Sequence, residues 1–152
     1  MIVRDNENCS VVRTLNLVGD KWTLLVLRVT FYGTRRVDVY LSAIGCARSI
    51  LSDRLGKLVT NGILFQTEYH EEGQRRRLQY RLTEKGKELL NILIALKQWG
   101  DKWTHEKGCG PISLYHQGCR AKVKSKICCE NGHILDSARD IRVRVNKKVR
   151  RA

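Results

Sequence analysis

The side chains with the most readable chemistry lie in the stretch ARSILSDRLGKL. Arg48, Ser49, Ser52, Asp53 and Lys57 recur at spacings that share one face of an α-helix, with Leu51, Leu55 and Leu58 on the other. An arginine on such a face can hold a guanine edge through two parallel hydrogen bonds, and serines reach phosphates or bases. An aspartate accepts from cytosine or holds a neighbouring arginine. Two more cationic groups have the same taste for anions. Arg75-Arg76-Arg77 follows Gly73 as a compact tip suited to phosphate or to a narrow minor groove. Arg35-Arg36 stands at the head of an expected helix, where the guanidinium groups and the positive helix end favour the same anion. Taken alone, each group is also what a solvated surface looks like, so the elements around them must decide.

The cysteines offer a second chemistry. Cys9 opens the first expected helix, where free amides and the helix dipole lower a thiol pKa, making it a candidate for oxidation. Cys46 lies in a turn before the serine-bearing helix. Cys109, Cys119, Cys128, Cys129 and His133 are metal-ligand types, but Cys128 and Cys129 are adjacent, and paired knuckles of the C-x(2–4)-C kind are missing. No metal and no cofactor are assigned. His70, His105, His116 and His133 are scattered, and no Ser-His-Asp order, carboxylate pair or phosphate loop emerges, so no catalytic residue is assigned and an enzyme is not expected. The absence of a C-x-x-C pair also argues against thiol-redox turnover.

The 152 residues carry 29 Lys+Arg against 15 Asp+Glu, a net charge of +14 that asks for a polyanionic partner. The charge is spread over the chain, with +6 in residues 1–104 and +8 in residues 105–152. With 42% hydrophobic residues the chain can bury a core, which sets it apart from a disordered basic tail. No apolar run is long enough to span a bilayer and the first residues lack the apolar stretch of a secretory signal. A cytoplasmic location without membrane partners is therefore expected.

The elements that would position the cations follow from periodicity. Cys9–Gly19 reads as a first helix, with Val11, Leu15 and Val18 in one stripe. Asp20 caps a second, KWTLLVLRVTFYG, apolar on nearly every side and hence a core helix. Thr34 caps a third through Ile44, closed by Gly45, and a fourth runs from about Ala47 to Asn61, so that two short helices flank a glycine turn. ILFQTEYH follows as a strand with Ile63, Phe65, Thr67 and Tyr69 on one face. EEGQ turns the chain, and RLQYRL returns with Leu78, Tyr80 and Leu82 facing the helices. From Thr83 one long helix carries Leu89, Leu93, Leu96, Trp99 and Trp103. This stripe exceeds what one small core covers and points to a homodimer, while Trp22, Trp99 and Trp103 are read as core residues. Beyond it, alternation around Val123, Ile127, Ile141, Val143 and Val145, with Asn131-Gly132 as a turn, reads as a small β appendage.

The order helix, helix, helix-turn-helix, hairpin, long helix is a winged helix, an α+β fold that is mainly helical, with a two-stranded wing and a small C-terminal β appendage. With CSVVRTLNLVGDKWTLLVLR, ILSDRLGKL, YRLTEKG and WGDKW, it resembles the HxlR family of transcription regulators, relatives of the MarR group, over residues 9–104. The resemblance implies a winged helix-turn-helix DNA-binding and dimerisation domain at 9–104, after an N-terminal extension at 1–8. A cysteine-containing basic β extension at 105–145 and a basic tail at 146–152 follow. It also implies a dimeric repressor on a pseudo-palindromic DNA operator, answering to a small-molecule effector or to thiol oxidation at Cys9. A different class, a nonspecific basic binder of nucleic acid working through its C-terminal tail, fits the charge alone.

Overall fold

Helices α1 (Ser10–Val18) and α2 (Lys21–Phe31) meet at Gly19-Asp20 in the computed structural model, which describes residues 9–70 and 76–144. Asp20 accepts hydrogen bonds from the backbone N–H of Trp22 (3.0 Å) and Thr23 (3.2 Å), satisfying two of the amides left open at a helix start. Partial desolvation works to raise the Asp20 pKa. The Thr23 amide, the Arg54 charge and the Trp22 amide outweigh it and hold the carboxyl below its ordinary value. As expected, α2 is a core helix and buries Thr23, Val26, Leu27, Val29 and Thr30.

Helix α3 (Val37–Ile44) ends at Gly45, whose φ of +71° is the left-handed conformation that glycine adopts without steric cost. Two residues on, Ala47 begins α4 (Arg48–Thr60). Tyr40 of α3 is fully buried, and its hydroxyl lies 2.7 Å from that of Thr30 while donating to the Thr34 carbonyl (3.1 Å). These bonds tie α3 to the end of α2. Thr34 does not cap α3 as expected. Its backbone is already taken by Tyr40 and by Val29, and the helix starts later, with Arg36 as N-cap.

Strands β1 (Leu64–Tyr69) and β2 (Arg77–Leu82) pair antiparallel, with Leu64 opposite Leu82, Gln66 opposite Tyr80 and Phe65 opposite Arg81. That register keeps Phe65, Thr67 and Tyr69 on one face, as expected, and shows which side it is. Opposed residues share a face, so Phe65, Thr67 and Tyr69 lie with the basic residues of β2, while Leu64 joins Tyr80 in the core and Phe65 stays exposed. The expected EEGQ turn lies outside the described residues. The Arg35-Arg36 backbone runs beside β2: Tyr80 N–H donates to the Arg35 carbonyl (2.9 Å), and Arg36 bridges Gln79.

The expected long last helix is two pieces, α5 (Glu84–Glu88) and α6 (Leu90–Thr104), separated by a single tight turn in which Leu89 N–H donates to the Gly86 carbonyl. Thr83 caps α5 through Gly86 N–H and donates to the Gly62 carbonyl (2.7 Å), holding the end of the hairpin. A Cβ on Gly86 would stand 2.2 Å from the Ile63 carbonyl oxygen, so only glycine lets α5 lie this close to the chain entering β1.

The chain divides into two compact units, Met1–Leu93 and Ile94–Ala152. The first holds the core of Val26, Leu27, Tyr40, Leu51, Leu55, Leu58, Ile63 and Leu64. In the second, the β appendage is reduced among the described residues to two isolated antiparallel bridges, Tyr115 with Lys122 and Cys128 with Ile134, plus a 3-10 turn at Ala138–Asp140. The Asn131-Gly132 turn forms as expected, closed by Gly132 N–H to the Cys129 carbonyl (2.8 Å). Alternation without a covering layer leaves Ile127, Ile134, Ile141 and Val143 exposed, which is why the ladders stop after one bridge. Residues 1–8 and 145–152, and with them the N-terminal extension, Val145 and the basic tail, lie outside the described residues. No helix among those described is long and apolar enough to cross a membrane.

Burial pushes the Tyr40 hydroxyl from the ordinary 10.0 up to about 12, against the Thr30 hydrogen bond, which lowers it. A folded pKa raised this way gives stability that is complete below the unfolded value and disappears as pH climbs toward the folded one. Tyr40→Phe is expected to cost about 1 kcal/mol in urea unfolding at pH 7. The gap between wild type and variant should narrow between pH 10 and about 12. A gap that stays constant across this window would remove the role assigned to the phenol.

Candidate nucleic-acid interface

The candidate surface is built on α4. Leu51, Leu55 and Leu58 are fully buried, and their spacing of four and three residues fixes the rotation of the helix about its axis. The outward face that this leaves carries Arg48, Ser49, Ser52, Asp53, Gly56 and Lys57, all exposed, as the sequence pattern anticipates. Arg54, between the two faces, sits 2.7 Å from Asp20 and so ties α4 to the cap of α2.

Within the outward face the charges are unevenly committed. Asp53 pairs with Arg54 (2.7 Å) and with Lys57 one turn on (3.0 Å), so of the two roles open to it from sequence it holds neighbouring cations here. Arg48, Ser49 and Ser52 have no side-chain partner among the described residues, and Ala47 at the N-cap gives no side-chain acceptor to the first-turn amides. A cation, two short hydroxyls and open amides at one helix end form a surface able to receive a phosphate and to probe base edges.

The other candidates fall into two groups. Arg36 is half-buried, pairs with Asp38 (3.0 Å) and stacks over the Tyr69 ring (5.4 Å to its centre). Its guanidinium hydrogen bonds, set against some desolvation, hold the Asp38 carboxyl below the ordinary range. Arg35 spends its carbonyl on β2 and leaves its side chain exposed. Arg76 and Arg77 are exposed at the start of β2, Arg76 in a loose pair with Glu68 (3.4 Å), whereas Arg75 lies outside the described residues. The bracketing arginine, Arg54, was not picked out by sequence. Its only signal is its place between the apolar and polar arcs of α4.

Cys9 is the N-cap of α1, half-buried, with a free thiol that makes no cap hydrogen bond. Cys46 is half-buried against the core. Two cysteine–histidine contacts appear in the C-terminal unit, His116 Nδ1 with Cys119 Sγ (3.2 Å) and Cys129 Sγ with His133 Nδ1 (3.6 Å). Among the described residues no three metal-ligand side chains converge. The tryptophans of α6 are not core. Trp99 and Trp103 are each 64% exposed, because nothing among the described residues covers that side of the helix.

Comparison with known proteins agrees with this geometry. Residues 17–108 match the HxlR-like helix-turn-helix family. An HTH-type transcriptional regulator of Mycobacterium tuberculosis is 38% identical over 123 residues, covering 81% of this chain and 77% of its own. The solved structure of PA1607, described as a transcription factor, superposes with a TM-score of 0.77 at 30% identity, covering 91% of this chain and 96% of that one. The redox regulator HypR in its reduced form gives a TM-score of 0.56 at 26% identity, covering 61% and 91%.

Gly56 sits in the middle of the outward face of α4, and a Cβ built on it meets nothing within 4 Å. Gly56→Ala is expected to stabilise the fold by about 0.5–1 kcal/mol, the usual gain for an exposed helix interior, as measured by urea unfolding. If the outward face approaches DNA closely, the same methyl should weaken duplex binding. A variant both more stable and equally tight on DNA would take Gly56 out of the interface.

Proposed function

The chain belongs to the HxlR-like helix-turn-helix family, DNA-binding transcriptional regulators and not enzymes, and on that premise we propose that it acts as a homodimeric repressor on a pseudo-palindromic operator. In this reading Arg48, Ser49, Ser52, Asp53 and Lys57 on α4 enter the major groove. Arg35, Arg36, Arg75, Arg76 and Arg77 hold the flanking backbone. The observation that carries it is the outward face of α4, a cation and two hydroxyls without partners among the described residues, on a helix whose opposite face is locked into the core. Arg36 contributes less directly, since it is engaged with Asp38 and with Tyr69 near the turn of the hairpin.

Dimerisation is supported by apolar faces that have no cover among the described residues. Val11 and Leu15 stand out from α1, and Ile92, Leu96, Trp99 and Trp103 form one stripe along α6. A second copy would cover such stripes and hold two α4 helices at a fixed separation. Thiol oxidation at Cys9 is the signal favoured here, because the free cysteine opens α1, whose Val11 and Leu15 are exposed, and because the similar HypR is a redox regulator. Oxidation would then alter the spacing between the two α4 helices and release the operator.

Selection from a random duplex library by the reduced full-length protein should enrich an inverted repeat whose half-sites lie about 34–36 Å, or a multiple of it, apart. Arg48→Ala is expected to cost about 1–3 kcal/mol and relax preference at one position. Replacing Lys147, Lys148, Arg150 and Arg151 by alanine should weaken all sequences equally while leaving the preference intact. Oxidation should release DNA from wild type and not from Cys9→Ser. If no repeat is enriched and the tail variant loses most affinity for every duplex, the protein is instead a nonspecific basic binder.

A further inference from the structure

We propose that the groove between α6 and the extension that follows it is a binding site for a small amphipathic organic anion, an aryl or short alkyl carboxylate. The cavity measures about 380 Å³, within the range of small-molecule sites, and lies wholly in the second compact unit. Helix α6 has two opposed faces. At 100° per residue, Ile94, Lys97, Gln98, Asp101 and Lys102 cluster on the side lining the cavity, and Leu96, Trp99 and Trp103 fall on the far side.

The walls are fixed by hydrogen bonds. The Gln98 side chain accepts from Ser125 N–H (2.9 Å) and donates to the Ser125 carbonyl (3.3 Å), pinning the extension to the helix at both polar groups of one residue. Val123 N–H donates to the Leu114 carbonyl (2.9 Å), so the two extension segments that line the cavity are held side by side. On the other flank Gly110 lies against Asp101, where a Cβ would come within 2.3 Å of the carboxylate.

The lining sets the chemistry of the occupant. Ile94, Leu114 and Val123 supply apolar surface, and Lys97, Lys102, Lys122 and Lys124 also line the cavity. Asp101, the one carboxylate present, is already bound to Lys97 at 2.5 Å. Lys102 lies over the ring of Trp103 (4.6 Å), while Lys122 and Lys124 have no side-chain partner among the described residues. An inorganic anion would leave the apolar lining unused, and a neutral hydrophobe would leave the lysines unpaired. A carboxylate on a flat or short apolar body satisfies both. That filling this site alters DNA binding rests on the regulator reading above; the existence of the site does not.

The test uses full-length reduced protein and sodium 2-naphthoate, with 2-naphthamide as its uncharged match, by titration calorimetry. Naphthoate should bind, and the amide should bind about tenfold more weakly or worse. Lys122→Ala with Lys124→Ala should weaken naphthoate by about tenfold without changing the amide. Cys109 lines the cavity and is exposed, as is Cys119 away from it. Saturating naphthoate should therefore slow iodoacetamide alkylation of Cys109 severalfold and leave Cys119 unchanged, a readout that needs no variant. Absence of binding at millimolar naphthoate, equal binding of acid and amide, or unprotected Cys109 would overturn the site. So would displacement of naphthoate by a random-sequence duplex, which would make these lysines part of a DNA surface. Operator selection on ligand-free protein is scored independently, so a failed anion site and a failed DNA-binding reading give different results.

Discussion

The burial of one face of α4 against α2 governs what the rest of the DNA-binding unit can do. Leu51, Leu55 and Leu58 are each almost completely removed from water, worth about 1.5–3 kcal/mol apiece in transfer free energy. The Arg54–Asp20 pair, partly exposed, is worth at most about 1 kcal/mol. Packing therefore decides which way the helix is rotated, and the ion pair holds it against the cap of α2. Once that rotation is set, Arg48, Ser49 and Ser52 can only point outward.

Two sets of contacts help join the hairpin to this frame, and one of them spends an arginine that looks functional in the sequence. Along β2 toward the turn, the Arg35-Arg36 backbone runs beside the strand, and Arg36 is drawn in by Asp38 and Tyr69. At its open end, where β1 enters and β2 leaves, Thr83 and Gly86 bring α5 against the entry to β1, closer than any side chain would allow. The arginines consequently divide by duty. Arg36 and Arg54 stabilise the scaffold, and Arg35, Arg48 and Arg77 remain exposed for an external anion.

The second unit follows different physics. Its extension has few strand pairings and buries little apolar surface, so its local geometry depends on single hydrogen bonds such as those of Gln98 with Ser125. Helix α6 serves two masters here, with a lysine-rich groove on one face and an uncovered tryptophan stripe on the other. The stripe fits a partner that excludes water over a broad surface, and the groove fits something small.

The residues by themselves determined the elements and their order up to the end of the hairpin. The leucine period of α4, the Asp20 cap, the Gly45 stop and the alternation of β2 are local signals, and a local signal survives whatever the chain packs against. The outward face of α4 was legible for the same reason, because helical period alone separates Ser49 and Ser52 from Leu51 and Leu55. Tertiary structure decided everything that needs a neighbour distant in sequence. The pairing register of the hairpin placed Phe65 with the basic face, and Tyr40 took the carbonyl of Thr34, with Arg36 and not Thr34 as the N-cap of α3. Contact at Gly86 accompanied the division of the last helix into α5 and α6. Whether an arginine is scaffold or surface depends on what stands within a few ångströms of its guanidinium, and for Arg36 and Arg54 those groups come from Tyr69 and Asp20, more than 30 residues away in the chain.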